Sequence, residues 1–125
     1  MADRPVMLFQ AHSATTPYQT KDGSEIRELM HPEIHGNANQ SLAEATVPVG
    51  GKTLQHRHPI TEEIYHITQG MGLMTLGDAS FKVKTGDTIC IPPGSDHCIE
   101  NIGLGPLVFL CACSPAYSHH DTIIS

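Results

Sequence analysis

His56 and His58 stand one residue apart, and Glu63 follows five residues after His58, within the stretch 50–70, GGKTLQHRHPITEEIYHITQG. Side chains i and i+2 of a β-strand share a face, with Cα atoms about 6.5 Å apart. Two imidazoles so placed converge on one point. A carboxylate beside them completes a metal half-site of the kind that suits iron, manganese, nickel or zinc. A half-site needs a closing ligand from elsewhere, and His97 is the candidate. It lies in the stretch 86–101, GDTICIPPGSDHCIEN. There Gly86 permits a turn, Pro92 and Gly94 end a strand and reverse the chain, and His97 opens the next strand. In a rolled antiparallel sheet, two strand pairs can lean His56, His58, Glu63 and His97 into one cavity. Three neutral imidazoles and one carboxylate leave a divalent ion with a single net positive charge and with one or two positions open. Open positions distinguish a catalytic centre from a closed structural one.

The neighbours of these residues have competing readings. Glu62 rivals Glu63 but points to the opposite face once the strand has begun. Tyr65 shares the parity of Glu63, so it either lines the cavity as a catalytic partner of Glu63 or packs in the core. His66 and Arg57 face away from the site. Asn101 is expected to satisfy backbone groups. Of the nine His, His12, His31, His35, His119 and His120 lie in turn-like or terminal text and read as solvated.

The elements that must position these groups are strands. Ser41 to Val47 alternates small and apolar residues. Thr53 to His58 reads as a strand ended by Pro59, and Glu63 to Thr68 is rich in β-branched and aromatic residues. Gly72 to Leu76 and Ser80 to Lys84 flank Gly77-Asp78 as a hairpin. Thr88 to Ile91, His97 to Asn101 and Leu107 to Cys113 follow. Val6 to Phe9 reads as an edge strand, Ser24 to Met30 as a strand or one helical turn, and His31 to Gln40 as a loop. Strands recurring every eight to twelve residues between Gly and Pro predict an all-β sandwich or barrel. The core barrel is expected over about 41–114, with 1–40 and 115–125 as edge strands or dimer arms.

With 125 residues the chain fits one domain. Aromatics are 5% and Trp is absent, so the core must be aliphatic. A net charge of -6 with 7 Lys plus Arg argues against nucleic acid and anionic membrane surfaces, which need clustered cations. The four Cys, at 90, 98, 111 and 113, have no zinc-finger spacing and read as buried reduced thiols. No basic start followed by a long apolar run opens the chain, and a reducing cytoplasm is the default expectation.

The two stretches together resemble the cupin superfamily, in its small single-domain bacterial form. The first cupin motif, G-x(5)-H-x-H-x(3,4)-E-x(6)-G, is met by Gly50, His56, His58, Glu63 and Gly70. The second, G-x(5)-P-x-G-x(2)-H-x(3)-N, is met by Gly86, Pro92, Gly94, His97 and Asn101. The six-residue gap to Gly70 favours Glu63 over Glu62. The resemblance implies a jelly-roll barrel (double-stranded β-helix), usually a homodimer, with one divalent metal bound by His56, His58, Glu63 and His97. It implies a metal-dependent enzyme on a small polar metabolite, either a dioxygenase or a Lewis-acid isomerase or lyase. A non-catalytic small-molecule binder is the alternative, and a sugar-phosphate isomerase ranks third. The segments Asp22 to Met30 and Ser114 to Thr122 resemble small cupins called phosphomannose-isomerase-like. Arg27, in the first of them, would either grip an anionic substrate group or pair with Glu25 or Glu28 at a dimer contact.

Overall fold

The computed structural model describes residues 8–125. Eleven strands build it: β1 Tyr18–Gln19, β2 Glu25–Met30, β3 Ser41–Val47, β4 His56–Arg57, β5 Glu62–Gln69, β6 Met71–Leu76, β7 Ala79–Lys84, β8 Thr88–Ile91, β9 His97–Asn101, β10 Leu107–Ser114 and β11 Ile123–Ile124. They form two antiparallel sheets, β1-β2-β3-β10-β5-β8 and β11-β4-β9-β6-β7. The fold is an all-β jelly roll. Among the described residues, helix is confined to one turn, α1 Pro32–His35, and two 3-10 turns at His12–Ala14 and His119–Asp121.

Period-2 burial selects the inner face. Ala43, Ala45 and Val47 of β3, Glu63, Tyr65 and Ile67 of β5, and Phe109, Cys111 and Cys113 of β10 are all buried. These three strands are neighbours in the first sheet, so their odd-numbered residues form one continuous inner wall. Ile67, Met74, Ile89, Ile91, Ile99, Leu107 and Phe109 are central to the core. It is mainly aliphatic, as the scarcity of aromatics requires. Cys98, Cys111 and Cys113 are buried free thiols, whereas Cys90 is exposed.

Several elements differ from the sequence reading. Ser24 to Met30 resolves as strand, paired to both β1 and β3. Of the strand expected over Thr53 to His58, only His56–Arg57 is formed. The Thr53 N–H still donates to the Ile99 carbonyl of β9, and its hydroxyl accepts from the Ile99 N–H, but the Leu54 N–H turns to the Asp22 carbonyl at 2.7 Å. The chain is thereby diverted to the turn before β2. The loop 31–40 contains α1, which His31 caps by accepting from the Glu33 N–H. His31 is buried, with Nε2 bonded to the Tyr117 carbonyl, and His35 bridges to Gln10. These two histidines are structural rather than solvated. Val6 and Met7 lie outside the described residues, while Leu8 and Phe9 are exposed and belong to no strand. The C-terminal segment docks on its own chain, where Ile123 and Ile124 pair with Arg57 and His56. Within the chain, Arg27 reaches the segment before β1. Its Nη1 donates to the Thr15 carbonyl at 2.8 Å.

The invariable frame of the site is set by polar and glycine positions. The Asn101 amide donates to the carbonyls of Val47 and Gly105 and accepts from the Gly103 N–H. It ties β9 to the end of β3 and is fully spent on backbone. Gly70 joins β5 to β6 with φ +91°, and a Cβ there would lie 2.6 Å from the Pro106 carbonyl oxygen. Left-handed backbone and this close approach both demand glycine. Gly70→Ala is therefore expected to destabilise the fold by about 2 kcal/mol or more, read as a lower urea midpoint at unchanged m-value.

Candidate metal centre

Two sheets supply the cluster. β4 carries His56, β9 carries His97 directly opposite it in the ladder, and β5 of the other sheet carries Glu63. His58 follows β4. The ligand atoms of His56, His58, Glu63 and His97 all lie within 4.8 Å of one another, and all four residues are buried. Glu62 is exposed on the opposite face. His66 bonds Thr88 on the outside, and Arg57 lies 3.9 Å from Asp96.

Backbone carbonyls orient every ring. His56 Nδ1 donates to Leu54 at 2.8 Å, His97 Nδ1 to Ser95 at 2.9 Å, and His58 Nδ1 approaches the Asp121 carbonyl at 3.3 Å. The Thr122 hydroxyl, which gives its own proton to Ser118, accepts from His58 as well. A carbonyl can only accept, so each Nδ1 carries the hydrogen and each Nε2 turns its lone pair inward. Glu63 Oε1 lies 3.3 Å from His58 Nε2 and 3.4 Å from His97 Nε2. Both Glu63 Oε1 and His97 Nε2 are nevertheless buried without a hydrogen-bond partner. Such atoms cost a fold about 1–3 kcal/mol each, a cost that a cation among them would relieve. Three nitrogens and one oxygen, aimed at a common point, fit a divalent iron, manganese, nickel or zinc ion.

The electrostatics favour the same occupant. Burial would raise Glu63, but the imidazoles of His58 and His97 beside it hold its carboxyl at about 2. Burial, reinforced by His97, pushes His56 down and keeps it neutral. Burial pulls His58 down too, yet the Glu63 carboxylate outweighs it and the net shift is upward. Without metal, the Glu63 carboxylate thus favours the protonated form of His58.

The cluster opens on a cavity of about 30 Å³, room for roughly two waters. Tyr65 lines it, packing on Phe109 with ring centroids 4.5 Å apart and facing His97 at 6.0 Å. It thus lines the cavity and packs in the core at once. Burial pushes its phenol well up, so it keeps its proton. Cys113 Sγ–H reaches Glu63 Oε2 at 3.3 Å, holding that oxygen while Oε1 faces the cluster. Three contributors escaped sequence reasoning. Asp22 Oδ2 sits 3.5 Å from His56 Nε2. Tyr117 stacks edge-on against His58 at 5.8 Å. Asp121 bonds the N–H groups of Ile60 and Thr61 through its carboxylate, fixing the loop after His58. A polar tail with Ser-His-His-Asp was the available signal, but nothing local says where a tail docks.

A jelly roll holding three inward imidazoles and one carboxylate defines a class of small metal-binding β-barrels. Residues 43–113 match the family model of the cupin domain, and the chain belongs to the cupin family. It is 62% identical over 108 residues to an uncharacterized protein of Methanocaldococcus jannaschii, covering 86% of both. It is 30% identical over 115 residues to Protein SchB of Streptomyces halstedii, covering 85% of this chain and 80% of that protein. Among solved structures, an oxalate decarboxylase of Lactobacillus farciminis in its formate complex superposes with TM-score 0.77 at 25% identity. This match covers 90% of the present chain but 34% of the enzyme, so the chain spans about a third of that enzyme's length. A predicted oxalate decarboxylase of Thermotoga maritima superposes with TM-score 0.75 at 26% identity, covering 88% of this chain and 99% of that one.

Two outcomes follow from this geometry. Metal uptake must expel the His58 proton, so affinity falls as pH drops through a value above the ordinary 6.5 of imidazole. Glu63, ionised down to about 2, does not limit it. Competition titration with a chromophoric chelator across pH 5–8 should show this slope. Asp121→Ala touches no ligand atom, yet it should weaken metal binding by about tenfold by releasing the loop that aims His58.

Proposed function

We propose that the chain is a metal-dependent enzyme acting on a small polar metabolite, with His56, His58, Glu63 and His97 as ligands to one divalent iron, manganese, nickel or zinc ion. The observation that carries this reading is the pair of buried, unpartnered atoms Glu63 Oε1 and His97 Nε2, turned toward the Nε2 atoms of His56 and His58 beside the cavity. A closed structural site would surround its ion with ligands on every side. Here the ligands approach from β4, β5 and β9, and the wall formed by β2, β3 and β10 supplies none of the four.

A bound ion would supply Lewis acidity toward a substrate oxygen and, if redox-active, chemistry with dioxygen. The chain's own residues would do the rest. Glu63 Oε1 would serve as the base that accepts a proton from substrate. Tyr65, held protonated by burial, donates a hydrogen bond to a substrate oxygen. The mainly aliphatic core behind them excludes water. The small cavity favours compact substrates. The oxalate decarboxylases among the structural neighbours, which share the fold at 25–26% identity, support small-molecule metal chemistry as the general class. We also read residues 1–125 as one domain that works as a homodimer.

Anaerobic loading with Fe(II), Mn(II), Ni(II) or Zn(II) should give one ion per chain, and His97→Ala should abolish stoichiometric binding. Oxygen uptake by the iron form, with small enolates supplied, would assign a dioxygenase. Solvent deuterium exchange into substrate without oxygen uptake would assign Lewis-acid isomerisation or lyase chemistry. Ligand affinity with neither would leave a metal-bearing binder, and failure to hold any ion would end the proposal.

A further inference from the structure

We infer that the cavity selects against anions, and that its substrate is a compact neutral or cationic molecule whose hydroxyl or amine donors are accepted by Asp22 and Glu28. This rests on the metal-centre reading above and adds the class of substrate to it.

The wall facing the four ligands comes largely from the turn before β2, from β2 itself and from β3. It presents the hydroxyl-bearing residues Thr20, Ser24 and Ser41, with Tyr117 beside them, and the carboxylates Asp22 and Glu28. Among the described residues, no Lys or Arg lines the cavity. The cations nearest in sequence are committed elsewhere. Lys21, adjacent to Asp22, donates to the carbonyls of His119 and Thr122, both at 3.1 Å. Arg27 donates to Thr15, and Arg57 lies beside Asp96.

The two carboxylates are built in rather than incidental. Asp22 Oδ1 accepts three hydrogen bonds, from Thr20 Oγ1 at 2.6 Å, Ser24 N at 2.9 Å and Ser24 Oγ at 2.6 Å. Those contacts fix the side chain and leave Oδ2 turned toward the cluster, 3.5 Å from His56 Nε2. Glu28 is nine-tenths buried. Its Oε1 accepts from the Tyr18 hydroxyl at 2.8 Å, while Oε2 is buried with no partner at all. An unpaired carboxylate oxygen on a cavity wall is completed by a ligand's N–H or O–H. Charge points the same way. A divalent ion and Glu63 sum to one positive charge, and Asp22 and Glu28 more than cancel it. An anionic ligand entering this space meets net repulsion in a medium of low dielectric.

The whole protein, loaded with Co(II), tests this through its visible absorption bands, read while formate, azide or ethanolamine is titrated in. Ethanolamine should bind the wild type more tightly than formate or azide does. Asp22→Asn and Glu28→Gln, both isosteric, should each tighten formate and azide binding by roughly tenfold and weaken ethanolamine by a similar factor. Unchanged Co(II) bands before titration show that each variant has folded around an intact centre; should one variant lose them, the other still decides. Formate affinity equal in wild type and intact variant, or above that of ethanolamine in the wild type, overturns the substrate class alone. Absence of Co(II) bands in the wild type overturns the metal centre and this inference with it.

Discussion

The constraint on which this structure turns is the burial of one carboxylate among three imidazoles. Glu63 is held at 5% exposure and His97 at 0%, where an unpaired charge is costly. Without an ion, the neighbouring imidazoles hold the Glu63 carboxyl at about 2 and the Glu63 carboxylate shifts His58 upward. That is a poor substitute, since it leaves two ligand atoms without partners. A cation among the four would remove the deficit, and stability and metal affinity would then be linked through the same four atoms.

The shell around the cluster is organised to keep that arrangement from relaxing. A fixed Nδ1–carbonyl contact behind each imidazole prevents the ring from flipping and sets the tautomer. Two of those carbonyls, of Leu54 and Ser95, lie two residues before the ring they hold, so the local strand geometry suffices. The third belongs to Asp121, 63 residues from His58. The C-terminal arm is thus part of the site's support, and its docking is secured by β11 on β4 and by the Asp121 carboxylate on the loop after His58.

Opposite the ligands, the N-terminal segment completes the cavity with chemistry that differs from the metal side. The turn at Asp22 draws the Leu54 N–H away from the ladder, which shortens β4 to two residues. The same turn plants a carboxylate beside His56. One local backbone event therefore connects strand length, cavity shape and cavity charge. The inward thiols of Cys111 and Cys113 complete the floor, and burial raises both well above the ordinary thiol range. They behave there as small apolar groups, with Cys113 also steadying Glu63.

The periodicities that were legible along the chain are those whose cause is local. Alternation in Ser41–Val47, Thr88–Ile91 and the Glu63 strand reflects the pleat itself, and Gly70 and Gly86 mark turns because only glycine takes their φ without strain. The four residues of the cluster could be named because His-x-His and a carboxylate at fixed spacing need only strand parity, and His97 because a second glycine-proline frame accompanies it. What remained hidden depends on where a segment lands after the sheets close. Asp22 and Glu28 stand 28 or more positions before the nearest ligand, and Asp121 stands 24 after the last. No periodicity links them to the site. His31 reads as a loop residue until Tyr117 covers it. Parity and turn chemistry determined the strands and the ligand set, whereas long-range docking of the two terminal segments decided the cavity's charge, because side chains that meet only across closed sheets leave no local pattern in the chain.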